Sequence, residues 1–378
     1  MLNRRTLRIK AMQAMFAYRQ CREANYALAL SQIADIFSPD LNSMEVQDKD
    51  QLKLDRKACT ELFKAQFENK SYKATAGNKI EQVTEDMING YHQNNDKDLR
   101  HFKKTMLADA DKIEDHYLRI LLLLVEFADY AENDPKLDQS KFVKNLLIQG
   151  IKFNKSIEST SLRGNLNWSK EADMVRQWFK EVLKTDKVYL DYLKTAGQSF
   201  EEDQALVSHI VKNIIFKNDA IDKYMEDYDL NWDEDRAIVK SLVTKTLKSI
   251  PEEGAEIFEI QELSYNWEDD KTFFKKLFEK TIEVEEKYEP LIAQKAKNWD
   301  IDRIAATDKI ILEMAISEMI NFPSIPVKVT INEYIEVAKR YSTPKSKVFV
   351  NGILDVIAAE LEKEGVIKKS GRGLIDNK

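Results

Sequence analysis

Apolar residues recur at three- and four-residue spacings along most of the chain, the period of an amphipathic helix. Leu7, Ala11, Ala14 and Tyr18 share one face of a helix predicted over 4–36, which Ser38-Pro39 closes. Leu118, Leu121, Leu122, Val125 and Ala128 do the same over 99–131, and Asn133-Asp134-Pro135 ends that pattern. Further helices are predicted over 57–68, 140–152, 169–184, 186–196, 202–226, 233–249, 270–296, 301–320, 330–341 and 346–364. Residues 38–56 read as a loop and 69–98 as a weakly patterned stretch. No segment alternates in the manner of a strand, so the fold class is all-α. The segment 301–320 carries Ile304, Ile310, Ile311, Leu312, Met314, Ile316 and Met319 around its whole circumference, which predicts a buried, central helix. Thr330 and Glu333 have the spacing of a capping box, and Gly365 is a predicted helix stop.

Composition narrows the class of protein. Glycine (10 of 378) and proline (7) are too scarce for a many-stranded barrel or sandwich, and 43% apolar residues can fill a core. The longest aliphatic run, Ile120–Val125, is far short of a membrane span. Arg8, Lys10 and Gln13 interrupt any leader-like apolar stretch. Cys21 and Cys59 form neither a disulfide framework nor a zinc pattern, and the four histidines lack ligand spacing. The expectation is a cytoplasmic, cofactor-free, non-enzymatic protein.

Charge changes the picture more. The net charge of −7 argues against nucleic acid, yet residues 1–22 hold Arg4, Arg5, Arg8, Lys10, Arg19 and Arg22 and no acid, leaving the other 356 residues at −13. Such asymmetry points to a polyanion-binding end on an acidic body. On a helix, Arg4, Arg5, Arg8, Arg19 and Arg22 fall in one stripe roughly 100° wide, and guanidinium forks suit phosphate. A solvated helix face is the bland alternative. A second acid-free cluster, Lys339, Arg340, Lys345 and Lys347, precedes Phe349-Val350-Asn351-Gly352. Cations beside an aromatic and an amide suit single-stranded RNA, in which backbone, base face and base edge are all accessible. The same residues also suit a core phenylalanine and a glycine that lets helices approach.

An echo, Asn231-Trp232-Asp233-x-Asp235-Arg236 and Asn298-Trp299-Asp300-x-Asp302-Arg303, reads either as a shared helix-start device, with Asn or Asp capping and Trp packed beneath, or as a duplicated helix pair.

Two stretches resemble the NusB transcription antitermination family. The opening Asn3-Arg4-Arg5-x-x-Arg8-x-x-Ala11-x-Gln13-Ala14-Met15-Phe16 is similar to that family's first helix, and Ile325–Tyr341 followed by Ser346–Asp355 is similar to its signature. The resemblance covers about 1–22 and 270–362. It implies two NusB-like helical bundles with an additional helical insertion domain. The expected organisation is an N-terminal helix with a basic arm (1–37), a helical insertion (38–203), a NusB-like region with the signature (204–365) and a basic tail (366–378). It also implies binding of boxA-type single-stranded leader RNA together with the small-subunit ribosomal protein NusE in the transcribing RNA polymerase complex. Carried over by position, Arg4, Arg5, Arg8, Lys10, Lys345, Lys347, Phe349 and Asn351 would meet RNA, while Phe16, Asp302 and Asp308 would meet the ribosomal protein. Val348 stands where the family commonly has a basic residue, and Glu313 replaces a frequent arginine. Two alternatives remain: a protein-interaction scaffold without RNA binding, and an RNA methyltransferase-associated domain. The second lacks a glycine-rich cofactor loop after a strand.

Overall fold

The computed structural model describes residues 2–42, 44, 46–69, 78–296 and 305–375, apart from the side chains of Asn78 and Glu286. Among the described residues there are fifteen α-helices and no strand. They are α1 (Arg4–Ile36), α2 (Lys49–Glu68), α3 (Asn78–Glu132), α4 (Ser140–Val143), α5 (Leu146–Phe153), α6 (Lys155–Gly164), α7 (Ala172–Glu181) and α8 (Lys187–Lys194). Then follow α9 (Phe200–His209), α10 (Asp219–Tyr228), α11 (Trp232–Ser249), α12 (Trp267–Lys295), α13 (Ala306–Asn321), α14 (Val327–Tyr341) and α15 (Ser346–Lys363). The all-α expectation holds.

Several predicted boundaries move, each for a local reason. The span 69–98 is largely helix, because α3 starts at Asn78. Ile80, Val83, Met87 and Ile88 pack against a buried cluster of Ala29, Ile33, Phe37, Cys59 and Phe63. That spacing is helical in the sequence, but polar neighbours dilute it. The predicted 140–152 helix is two, since the Asn145 side chain caps a new start by accepting from the amides of Leu147 and Ile148. The predicted 202–226 helix passes through a π-helical turn at Ile210–Ile215, and Asn218 then caps α10. Thr330 and Glu333 make no capping box. Helix α14 begins three residues earlier, after Pro326, and both side chains face other helices. Asn231 makes no side-chain cap either; its Nδ2 donates to Asp229, while Trp232 is buried as expected. The second copy of that echo lies outside the described residues.

The chain divides into two compact units. One comprises 1–4 and 107–271, the other 5–106 and 272–378. The expected borders at 37/38 and 203/204 fall inside these units. The first unit holds 23 Lys and Arg against 34 Asp and Glu, a net −11, and the second holds 35 against 31, a net +4. Charge is therefore sorted by unit as well as along the sequence.

In the second unit, α13 lies at the centre. Ile310–Met319 is buried on every side, as the apolar residues spread around its circumference predict, and α13, α14 and α15 pack on one another. Buried Glu313, Ser317 and Glu318 are the exceptions in that helix, and they require partners. In the first unit, the second part of α3 is the buried element, with Leu118, Ile120, Leu121, Leu123 and Leu124 fully enclosed.

Candidate nucleic-acid interface

The arginines of α1 supply the partners that α13 requires. Arg8 is 3% exposed and donates through Nε and Nη2 to both carboxylate oxygens of Glu318, each at 2.7 Å. Thr330 and Tyr334 add hydroxyl donors to the same carboxylate. The Arg8 guanidinium also lies 5.3 Å from the Phe273 ring centroid. Burial works against its charge, but the Glu318 bonds outweigh burial and raise its pKa. Farther along α1, Arg19 pairs with Glu313 and Glu285, and Arg22 donates to Glu285 at 2.8 Å. Buried Glu313 is therefore charge-matched from α1.

The remaining arm residues are also engaged. Arg5 makes a two-point pair with Glu333 at 2.8 and 2.9 Å, and that hydrogen bond holds the Glu333 carboxyl below its ordinary range. Arg4 pairs with Asp269 at 2.5 Å and Asp270 at 3.2 Å, and Lys10 is buried. All five arginines of the predicted stripe are thus ion-paired. Arg8 and Lys10 cannot face a solvent-borne phosphate as they stand, which corrects the expectation for both. Of the five, Arg5, its side chain 47% exposed, Arg4, 34%, and Arg22, 32%, remain substantially open to solvent.

The turn between α14 and α15 is different. Ser346 donates to Asp308 at 2.6 Å and shares hydrogen bonds with Ser342 and Thr343, while Thr307 donates to Ser342. These hydroxyls fix the turn onto the start of α13. Lys345 and Lys347 project from it exposed. Lys339 and Arg340 sit in the last turn of α14, where a cation also suits the helix dipole. Phe349 is 5% exposed, so its ring belongs to the core and offers no face to a base, contrary to expectation. Asn351 is half-buried and donates to Asp355 at 3.2 Å. Gly352 does not serve close packing, since a Cβ there would meet nothing within 4 Å. The arm and the turn occupy different levels of α14: Glu333 and Tyr341 are eight residues apart, about 12 Å of helix.

For the expected protein-partner residues the outcome is mixed. Phe16 is 38% exposed and lines a groove of about 550 Å³ with Tyr26, Phe67, Tyr91, Arg22 and Ile310. Asp308 is 4% exposed and occupied by Ser346, so it anchors the turn instead of facing outward. Asp302 lies outside the described residues. Phe67 and Tyr91 come from α2 and from the stretch read as weakly patterned, and their aromatic spacing to the neighbouring helical residues was the available signal. Ring centroids of Tyr26 and Phe67 are 4.7 Å apart, and those of Phe67 and Tyr91 are 5.1 Å apart, so this wall is packed as a unit.

Comparisons with known proteins bear on the same region. Residues 237–359 match the NusB family model. The transcription antitermination protein NusB of Salinibacter ruber is 47% identical over 94 residues, 25% of this chain and 59% of that protein. The NusB of Chloroherpeton thalassium is 54% identical over 85 residues, 22% of this chain and 40% of its own length. That of Koribacter versatilis is 44% identical over 79 residues, 21% and 54% respectively. The chain thus spans about half the length of the curated relatives it matches. No solved structure gives a significant match. Among the described residues, no helix is long and apolar enough to cross a membrane.

Proposed function

We propose that this chain, a NusB family member through residues 237–359, is a transcription antitermination factor that binds boxA-type single-stranded leader RNA together with the ribosomal protein NusE in the transcribing polymerase complex. The carrying observation is the serine-braced turn before α15, which presents Lys345 and Lys347 to solvent with no acid between Lys339 and Lys347. Bracing matters because a cation held on a fixed backbone loses less freedom on meeting a phosphate. The unit that carries it is net positive, while the other is strongly acidic.

On this reading RNA lies along the turn, with Arg340 beside it and Arg5 of α1 farther off, paired to Glu333 in the middle of α14. Arg8, Lys10 and Phe349 act from beneath by holding α1, α13 and α15 in register. Phe16 meets the ribosomal protein in a groove that α2 and the start of α3 have walled on one side. The exposed 38% of Phe16 and the groove volume support that assignment.

The test is titration of labelled boxA RNA with the full chain across a salt series, alone and with purified NusE. Binding that weakens linearly with log salt, and NusE capture abolished in Phe16→Ala, support the reading. A second reading, a scaffold without RNA binding, is favoured by the pairing of all five α1 arginines. NusE capture with no RNA mobility shift at low salt would establish it.

A further inference from the structure

The acidic unit carries a second apolar surface that the antitermination reading does not use. Two cavities, about 460 and 640 Å³, adjoin by sharing Phe153 and Glu256. Their floor comes from the end of α5 and the start of α6, and their wall is the irregular segment 252–259. Phe153 is 61% exposed and Ile257, which lines the larger cavity with it, is 76% exposed. Two large apolar side chains left this open in one cleft mark a surface that gains by being covered.

The wall is built, not draped. Gly150 allows close approach, because a Cβ there would lie 2.4 Å from the Ala255 carbonyl oxygen. The Asn154 side chain donates to the carbonyls of Glu256 and Phe258 at 3.1 and 2.9 Å. The same residue accepts from the amides of Ser156 and Ile157, so one asparagine caps α6 and fixes the wall. Farther on, the Gln261 amide donates to Tyr117 Oη.

Charge decides the occupant. Between Pro251 and Tyr265 there are five glutamates and no Lys or Arg, and Glu252, Glu256 and Glu259 line the cleft. Lys155 also lines it, and Lys152 is paired with Asp129 at 2.7 Å. Glutamates lining a trough that also exposes Phe153 and Ile257 repel RNA and other acidic chains and favour a cationic one.

We propose that this trough docks a lysine- or arginine-rich peptide segment of a partner protein, with one large apolar side chain of that segment seated between Phe153 and Ile257. The apolar anchor supplies affinity, and the glutamates supply selection by charge.

The experiment is fluorescence anisotropy of the full chain at low salt with a labelled peptide of alternating lysine and serine around one central phenylalanine. Two control peptides replace the phenylalanine by serine or the lysines by glutamate. Binding of the cationic, phenylalanine-bearing peptide at least about tenfold tighter than either control is the expected result, one decade in Kd being about 1.4 kcal/mol. Ile257→Ser alone, and Glu256→Gln with Glu259→Gln, should each weaken it about tenfold without altering the circular-dichroism melt or the RNA titration. Equal binding of the serine control would mean diffuse attraction to an acidic chain and overturn the proposal. So would unchanged binding in the variants, or preference for the acidic peptide. Dimers in sedimentation that Ile257→Ser dissolves would assign the surface to a second copy of this chain instead.

Discussion

Arg8 and Glu318 face each other in a two-point ion pair, both bonds 2.7 Å long, across 310 residues of sequence. The pair is fully enclosed, and Thr330 and Tyr334 complete the carboxylate's hydrogen bonds. A charge matched this fully is tolerated in a core, whereas removing one partner strands the other. The most basic segment of the chain is therefore largely a means of seating α1 on α13.

Arg8→Ala should cost about 3–5 kcal/mol of stability, since Glu318 is left buried and unpaired. Arg8→Met combined with Glu318→Leu should recover much of that loss. Urea denaturation midpoints of the single and double variants measure it, and a near-neutral single variant would contradict the pairing.

Phe349→Ala should destabilise the chain by about 3–5 kcal/mol, the cost of emptying a buried aromatic site. Phe349→Leu should keep both the fold and the RNA affinity. If a folded Phe349→Leu protein loses RNA binding in a gel shift, the ring does stack a base.

The turn lysines should behave in the opposite way. Lys345→Gln with Lys347→Gln is expected to leave the melting temperature within about a degree while lowering the salt slope of RNA binding by about 1.4, or about 0.7 for each phosphate no longer neutralised. A filter-binding series at several salt concentrations reads this directly.

Glycines divide by what surrounds them. Gly352→Ala should stabilise α15 by about 0.5–1 kcal/mol, because an exposed helix interior gains from alanine and nothing obstructs the new methyl. Gly150→Ala should destabilise by about 1–3 kcal/mol, as its Cβ would overlap the Ala255 carbonyl. Differential scanning fluorimetry of the two variants should give shifts of opposite sign.

Acid should act through Asp229. Burial pushes this carboxyl's pKa up, but the His116 bond, the Asn231 amide and Lys112 pull it well below the usual carboxylate range. A depressed acid contributes stability that is complete above the unfolded value of about 3.9 and is lost as pH falls through the folded one. Asp229→Asn should therefore reduce stability at pH 7 and flatten its decline below about pH 4. Guanidinium unfolding at neutral and at acid pH, in both proteins, supplies the comparison.

What the sequence determined by itself is the class of element and much of its placement. The 3.6-residue period of α1, the apolar residues on every side of α13 and the helical pattern of α14 and α15 are local properties, and each survives in the structure. Tertiary structure alone decided which charges are free. The acids that neutralise Arg5, Arg8, Arg19 and Arg22 lie more than 260 residues away, on helices whose orientation no local pattern encodes. Helical periodicity states that a residue shares a face with its neighbours; what opposes that face is settled only when the chain closes on itself. Arg8 and Lys347 look alike in sequence for that reason, and folding makes one a buried strut and leaves the other in water.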